Sequence, residues 1–207
     1  MLSPRWRKVI RDLLSSKTRT LLVVLSIAVG VFAIGMIGGT QLILTQDMRE
    51  AFLTINPSSA QIYTQPFDDE LVQMVRGMKG VQDAQGQRRL YLPVRLPNGT
   101  TKNIQFAAFG DFADIRINKI FPYAGAWSPG DREVLLEKSS LEYLGLKIGD
   151  TIDVKIGEDK FRTLRIVGTA RDLYIPPPSF VGAGFAYINM SAAEWLGASR
   201  QYTQLDI

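Results

Sequence analysis

Leu21–Leu44 reads LLVVLSIAVGVFAIGMIGGTQLIL, and the longer interval Thr20–Gln46 holds no charged side chain. Twenty-four residues rise about 36 Å as an α-helix, against a hydrocarbon core of about 30 Å. A helix buried in a soluble core keeps a polar stripe, whereas only Ser26, Thr40 and Gln41 interrupt this run. The segment therefore predicts a transmembrane helix over residues 21–44, long enough to span with some tilt. A cleaved signal peptide fits poorly. Its apolar stretch is about 7–15 residues and closes on a small-residue cleavage site, whereas this run is longer and no A-x-A follows Leu44.

Charge orients the segment. The chain carries a net +4, yet residues 1–20 hold Arg5, Arg7, Lys8, Arg11, Lys17 and Arg19 against Asp12 alone. The remaining 187 residues are nearly neutral, with 18 basic and 19 acidic side chains. A nucleic-acid binder keeps its basic excess on a folded face, so that class is excluded. Six cations before the span, against Arg49 alone just after it, place the N-terminus in the cytoplasm. Residues 1–20 also carry a Ser3-Pro4 helix start, followed by Trp6, Val9, Ile10, Leu13 and Leu14 in an i, i+3, i+4 stripe. This predicts a basic amphipathic helix at the cytoplasmic interface, with Arg5, Trp6, Arg7, Lys8, Arg11, Lys17 and Arg19 as lipid anchors.

Within the span, Ser26 and Gly30 lie four apart on one face, and Gly35 and Gly39 four apart on roughly the opposite one. Small residues let helices approach closely in lipid. Two such faces predict a helix packed inside a bundle rather than a lone anchor.

Beyond the span, residues 45–55 continue the helix as a stalk, and Asn56-Pro57-Ser58 stops it. Residues 56–207 then read as a strand-rich α+β domain. Strands are expected at 61–64, 89–96, 102–109, 132–137, 151–156, 161–168, 180–188 and 203–207. Pro97-Asn98-Gly99-Thr100 is a hairpin turn joining the second and third; its match to a glycosylation acceptor is the weaker reading. Short helices are expected from Asp68, with Leu71, Val72, Val75 and Met78 on one face, and at 139–145 and 191–196. Pro176-Pro177-Pro178 predicts a stiff extended loop. Gly182-x-Gly184 lacks the third glycine of a phosphate-binding turn and reads as packing.

There is no cysteine and no histidine. Disulfides, Cys/His zinc sites and Ser-His-Asp or Cys-His nucleophiles are thereby excluded. A Ser-Lys dyad or carboxylate pair stays open, and nothing in the sequence marks one. No catalytic residue, metal or cofactor is expected.

Arg11-Asp12-Leu13-Leu14, then Ser16-Lys17-Thr18-Arg19-Thr20-Leu21-Leu22, resembles the opening of MacB/FtsX-type ABC transporter permeases. Three later stretches are similar to the extracytoplasmic core domain of that family: Gly125-Ala126-Trp127; Gly130–Leu136 (GDREVLL); and Leu144–Ile152 (LGLKIGDTI). Leu164-Arg165-Ile166-Val167-Gly168 resembles its closing strand. The resemblance implies a permease subunit in the inner cell membrane, with four transmembrane helices and its large domain between the first two. It further implies a cytoplasmic ABC ATPase as partner, a homo- or heterodimer with a second permease subunit, and a periplasmic adaptor. ATP-driven motion would serve export, lipoprotein release or hydrolase activation. Three helices are missing from such a permease, and the chain stops inside the strand 203–207. It is therefore expected to be an N-terminal fragment whose last strand lies at an unpaired edge. The rival from another class is a signal-anchored binding or sensory domain, which gives no reason for small residues on two helix faces.

Overall fold

The computed structural model describes residues 17–207. The chain divides into two compact units, 1–50 and 51–207. In the first, α1 (Lys17–Thr54) continues into the second unit without a break. Its large apolar residues between Leu21 and Ile37 are exposed all round, from Leu25 at 50% to Ile34 at 75%. Among the described residues it is the one helix long and apolar enough to cross a membrane.

The second unit is built from nine strands: β1 (Gln61–Phe67), β2 (Gln85–Arg95), β3 (Thr101–Phe109), β4 (Phe121–Gly125), β5 (Glu133–Glu137), β6 (Thr151–Lys155), β7 (Phe161–Arg171), β8 (Ala183–Asn189) and β9 (Tyr202–Asp206). Four short helices accompany them: α2 (Asp69–Arg76), α3 (Lys138–Leu144), α4 (Pro178–Val181) and α5 (Met190–Trp195). This is the α+β class expected.

Six strands close on themselves in the order β2-β3-β8-β5-β7-β6 and back to β2, with β3–β8 and β5–β7 parallel and the rest antiparallel. Alternation along each strand explains the closure, because one face of every strand supplies the same interior. Val94, Ile104, Phe106, Val134, Leu136, Ile152, Val154, Leu164, Ile166, Ala186 and Ile188 fill it. Leu144 from α3 and Met190, Ala192 and Ala193 from α5 join the same core. Gly184 is bare for a packing reason, as expected, since a Cβ there would stand 3.0 Å from Leu144 Cδ1. Gly182 is not, because it caps α4 at φ +72° with open space where a Cβ would lie.

The long β2 and β7 each carry a second partner beyond the ring. The start of β2 pairs with β9, which pairs in turn with β1, and α2 packs there through Val72 and Val75. The end of β7 pairs with β4. β9 is thus bonded on both sides, and the expectation of an unpaired edge at 203–207 is overturned. Its buried Asp206 accepts from the amides of Gln87 (2.5 Å) and Gln204 (2.7 Å), which fixes the register of this small sheet.

Three further expectations are corrected. Phe180 and Val181 do not open a buried strand; they lie exposed on α4, and β8 starts only at Ala183. Pro178 begins that helix instead of extending the loop, its fixed φ suiting a first helical turn. Met78 falls past the end of α2, which Gly77 caps, and is exposed. The hairpin turn matches expectation: Pro97 and Asn98 sit at its corners, Gly99 follows at φ +81°, and the Asn98 side chain accepts from Thr100 N (3.0 Å).

Candidate functional site

The residues that follow α1 are held by a set of hydrogen bonds reaching sixty residues along the chain. Ile55 is fully buried, and its carbonyl accepts from Lys119 N (2.8 Å). Asn56 donates through Nδ2 to the Arg116 carbonyl (2.8 Å), while its own carbonyl accepts from Asn118 N (3.0 Å). Asn118 answers through its side chain, accepting from Ser58 N (3.0 Å) and donating to Ser58 Oγ (3.0 Å). Ser59 and Ala60 then bond to the Ile207 carbonyl, and Ile207 N donates back to Ala60.

Both asparagines stand in the left-handed region, Asn56 at φ +49° and Asn118 at φ +51°. That conformation costs most side chains roughly 1–2 kcal/mol, and asparagine reaches it through local hydrogen bonds. Here the bonds are long-range and reciprocal, so the two strained corners hold each other. The partner loop is itself fixed. Gln85 Oε1 accepts from Arg116 N (2.8 Å) and Ile117 N (3.0 Å), and the Arg116 guanidinium grips both oxygens of Asp114. The hydrogen bond from Arg116 holds the Asp114 carboxyl below the usual carboxylate range. A cleft of about 350 Å³ beside this joint is lined by Asn56, Pro57, Ser59, Gln82, Asp83 and Ile117 among others.

Elsewhere, Asp172 accepts from the Tyr187 hydroxyl (2.7 Å) and Tyr174 N (2.8 Å). Burial lifts its carboxyl above the ordinary range and the buried Tyr187 hydroxyl well above its own. Glu137, also buried, caps α3 by accepting from Ser140 N. These groups tie loops to the barrel. Among the described residues no group of three or more acidic side chains could hold a metal ion.

The residues singled out in the sequence fall as follows. Arg5, Trp6, Arg7, Lys8 and Arg11 lie outside the described residues. Lys17 and Arg19 are exposed on α1. Ser26 donates to the Leu22 carbonyl (2.9 Å), so its hydroxyl is satisfied inside the helix. A Cβ added at Gly30, Gly35 or Gly39 would meet nothing within 4 Å. The structure brings none of these residues together into a site. Sequence reading missed the Asn56–Asn118 joint. Its only local trace is Asn56 before Pro57, and its other half lies in an unremarkable loop.

A helix long and apolar enough to cross a membrane precedes a closed barrel with short helices, and comparison with known proteins gives the kind of domain. The chain belongs to the family of MacB-like periplasmic core domains, which it matches over residues 20–206. Its fold is similar to the extracellular domain of the noncanonic ABC-type transporter YknZ from Gram-positive bacteria, at a TM-score of 0.51 and 13% identity, over 70% of this chain and 80% of that one. The periplasmic region of MacB from Actinobacillus actinomycetemcomitans matches at 0.49 and 12%, over 77% of this chain and 78% of that one. No curated protein sequence matches. The resemblance to MacB/FtsX-type permeases read in the sequence is thereby borne out, and the domain is an extracytoplasmic one on a membrane protein.

Proposed function

We propose that this chain is the first part of a permease subunit that carries ATP-driven motion from the cytoplasm to its extracytoplasmic barrel. The carrying observation is the joint at Asn56 and Asn118. The residue directly after α1 is buried and bonded into the barrel unit through a loop sixty residues away. A displacement of the helix end is then delivered to the barrel instead of being absorbed by a slack linker.

In this reading residues 1–20 rest on the cytoplasmic face of the inner membrane, with Arg5, Trp6, Arg7, Lys8, Arg11, Lys17 and Arg19 at the lipid interface. Residues 21–44 span, 45–55 form the stalk, and 56–207 act outside. Partners are a cytoplasmic ABC ATPase, which performs the hydrolysis, a second permease subunit, and a periplasmic adaptor. Ser26, Gly30, Gly35 and Gly39 face neighbouring helices, which agrees with the open space around the three glycines in this chain alone. Export, lipoprotein release and hydrolase activation are the outputs such motion serves.

The test places Leu at Gly30 or Gly35 in the assembled complex. Overpacking a tight helix contact costs about 1–3 kcal/mol. ATPase activity and its coupled output should fall while membrane insertion persists. Both variants at the wild-type level, with the protein still in the membrane, would reduce the helix to a tether.

A further inference from the structure

Trp195, at the end of α5, has two guanidinium groups over its ring. Arg132 Cζ stands 5.3 Å and Arg162 Cζ 5.4 Å from the ring centroid, both within cation–π range. The three residues come from separate elements. Arg132 directly precedes β5, and its carbonyl accepts from Arg165 N in β7 (3.0 Å). Arg162 stands opposite Val154 at the start of β7. α5 is set by its cap Asn189, which accepts from Ala192 N (2.6 Å) and donates to the Pro129 carbonyl (3.1 Å). The platform is held by the barrel before any ligand arrives.

Among the described residues neither guanidinium makes a side-chain hydrogen bond or an ion pair, in contrast to Arg76, Arg95, Arg116 and Arg200, which all do. The acids nearby in sequence have other partners. Asp131 accepts from Asn189 Nδ2 (3.3 Å), Glu133 from Gly130 N (2.8 Å), and Glu194 pairs with Arg200 (3.6 Å). A guanidinium lying on an aromatic face keeps its N–H fork free for a carboxylate, which it takes in two parallel bonds.

We infer that Arg132, Trp195 and Arg162 form a docking site for an acidic segment, rich in Asp or Glu, of a protein partner outside the membrane. Net charge decides against an anionic bilayer as the occupant. Residues 51–207 carry 17 basic and 17 acidic side chains, so the barrel unit has no overall field to draw it onto a charged lipid surface. What remains is local recognition by two free forks on one rigid platform.

The test uses the full chain in zwitterionic nanodiscs and a fluorescein-labelled hexaglutamate peptide, read by anisotropy. Saturable binding that weakens with salt is expected. Arg132→Gln and Arg162→Gln should each weaken it about tenfold, a loss equivalent to 1.4 kcal/mol. Arg132→Lys and Arg162→Lys keep the charge over the ring and should weaken it less, which shows that the fork contributes beyond its charge. Arg171→Gln, at the other end of β7 from Arg162, should leave it unchanged. Unfolding temperature is measured on every variant, and the Lys pair carries the test if either Gln variant fails to fold. No binding by the wild type, binding indifferent to Arg132 and Arg162, or Arg-dependent binding of phosphatidylglycerol vesicles that the peptide does not compete would each overturn the proposal.

Discussion

Two regions of this chain use the same residue types in opposite ways. In α1, Phe32 is 69% exposed and Ile34 75%, whereas in the barrel Phe106 and Ile104 are fully buried. Side chains along the barrel strands point alternately to opposite faces. β6 buries one face only, while β5 and β8 bury both, the second among Phe109, Phe112 and Ile120. The helix has no such period, and large apolar residues are exposed on every side of it. Water drives the first arrangement. For the second, the proposed place in a helix bundle sets α1 among surroundings as apolar as its side chains, where the fit between helices decides. The head should therefore be sensitive to loss of volume and the helix to its gain.

That contrast can be broken most readily at the two phenylalanines. Phe106→Ala opens a cavity at the centre of a filled barrel, and such changes cost about 3–5 kcal/mol. Denaturant unfolding of the head should show a loss of this size. Phe32→Ala removes as many atoms from a side chain that is 69% exposed, and the same measurement should barely move. Equal losses at both positions would mean that the helix packs on the head, and the comparison would collapse.

A smaller effect is expected at the Asn56–Asn118 joint, which lies within the barrel unit. Asn118→Val forces a β-branched residue to φ +51° and strips Ser58 N of its acceptor. Strain of roughly 1–2 kcal/mol and a lost hydrogen bond of about 1 kcal/mol give an expected loss of about 2–3 kcal/mol. Asn118→Gly keeps the conformation and loses only the bonds, so about 1 kcal/mol is expected. If the two variants unfold alike, the left-handed corner carries no strain. If the proposed coupling holds, both should lower the coupled output of the complex more than they lower head stability, since Asn56 lies two residues after α1 ends at Thr54.

What was legible in the sequence follows the range of the interactions. The apolar helix shows itself residue by residue, since absence of charge over 27 positions needs no partner to be read. The β2–β3 hairpin shows itself through Pro97-Asn98-Gly99, because the turn chemistry is local. The parallel pairings are silent. β3 meets β8 eighty positions downstream, Asn103 beside Ala183, and nothing in either strand names the other. β4 (FPYAG) was missed because Pro122 and Gly125 read as breakers, yet it runs along the outer end of β7 with an irregular register that accommodates them. The start of β8 was misplaced because Phe180 and Val181 are apolar, and composition alone cannot tell an exposed apolar turn from the strand behind it. The family was legible through short stretches such as GDREVLL, which fold into β5 and its approach. The site was less so, since the Asn56–Asn118 joint exists only once the chain has folded back on itself.

The smallest expected effect lies wholly inside the head, at Asp172. Its carboxyl is pushed above the ordinary range first by burial, with the hydrogen bonds from Tyr187 and Tyr174 N and the charge of Arg89 pulling the other way. A folded state that holds a proton more tightly than the unfolded chain loses stability as pH rises through the interval between the two pKa values. Asp172 should therefore cost the head stability at neutral pH that it does not cost at about pH 4. Asp153 runs opposite. Hydrogen bonds from Thr163 and Arg95 hold it low, and its contribution is present at neutral pH and lost on acidification. The whole profile mixes both, so the informative quantity is a difference between two proteins. Asp172→Asn keeps an oxygen for one of the two donors, and the Tyr187 hydroxyl can turn to accept from the new amide. Subtracting the wild-type stability from that of the variant removes every other carboxylate. The difference should grow in favour of Asn as pH rises from 4 to 7, read from denaturant midpoints at matched salt. A difference that is flat, or that grows toward acid, would mean Asp172 is stabilised as a carboxylate and that its ties to Tyr187 and Tyr174 outweigh its burial.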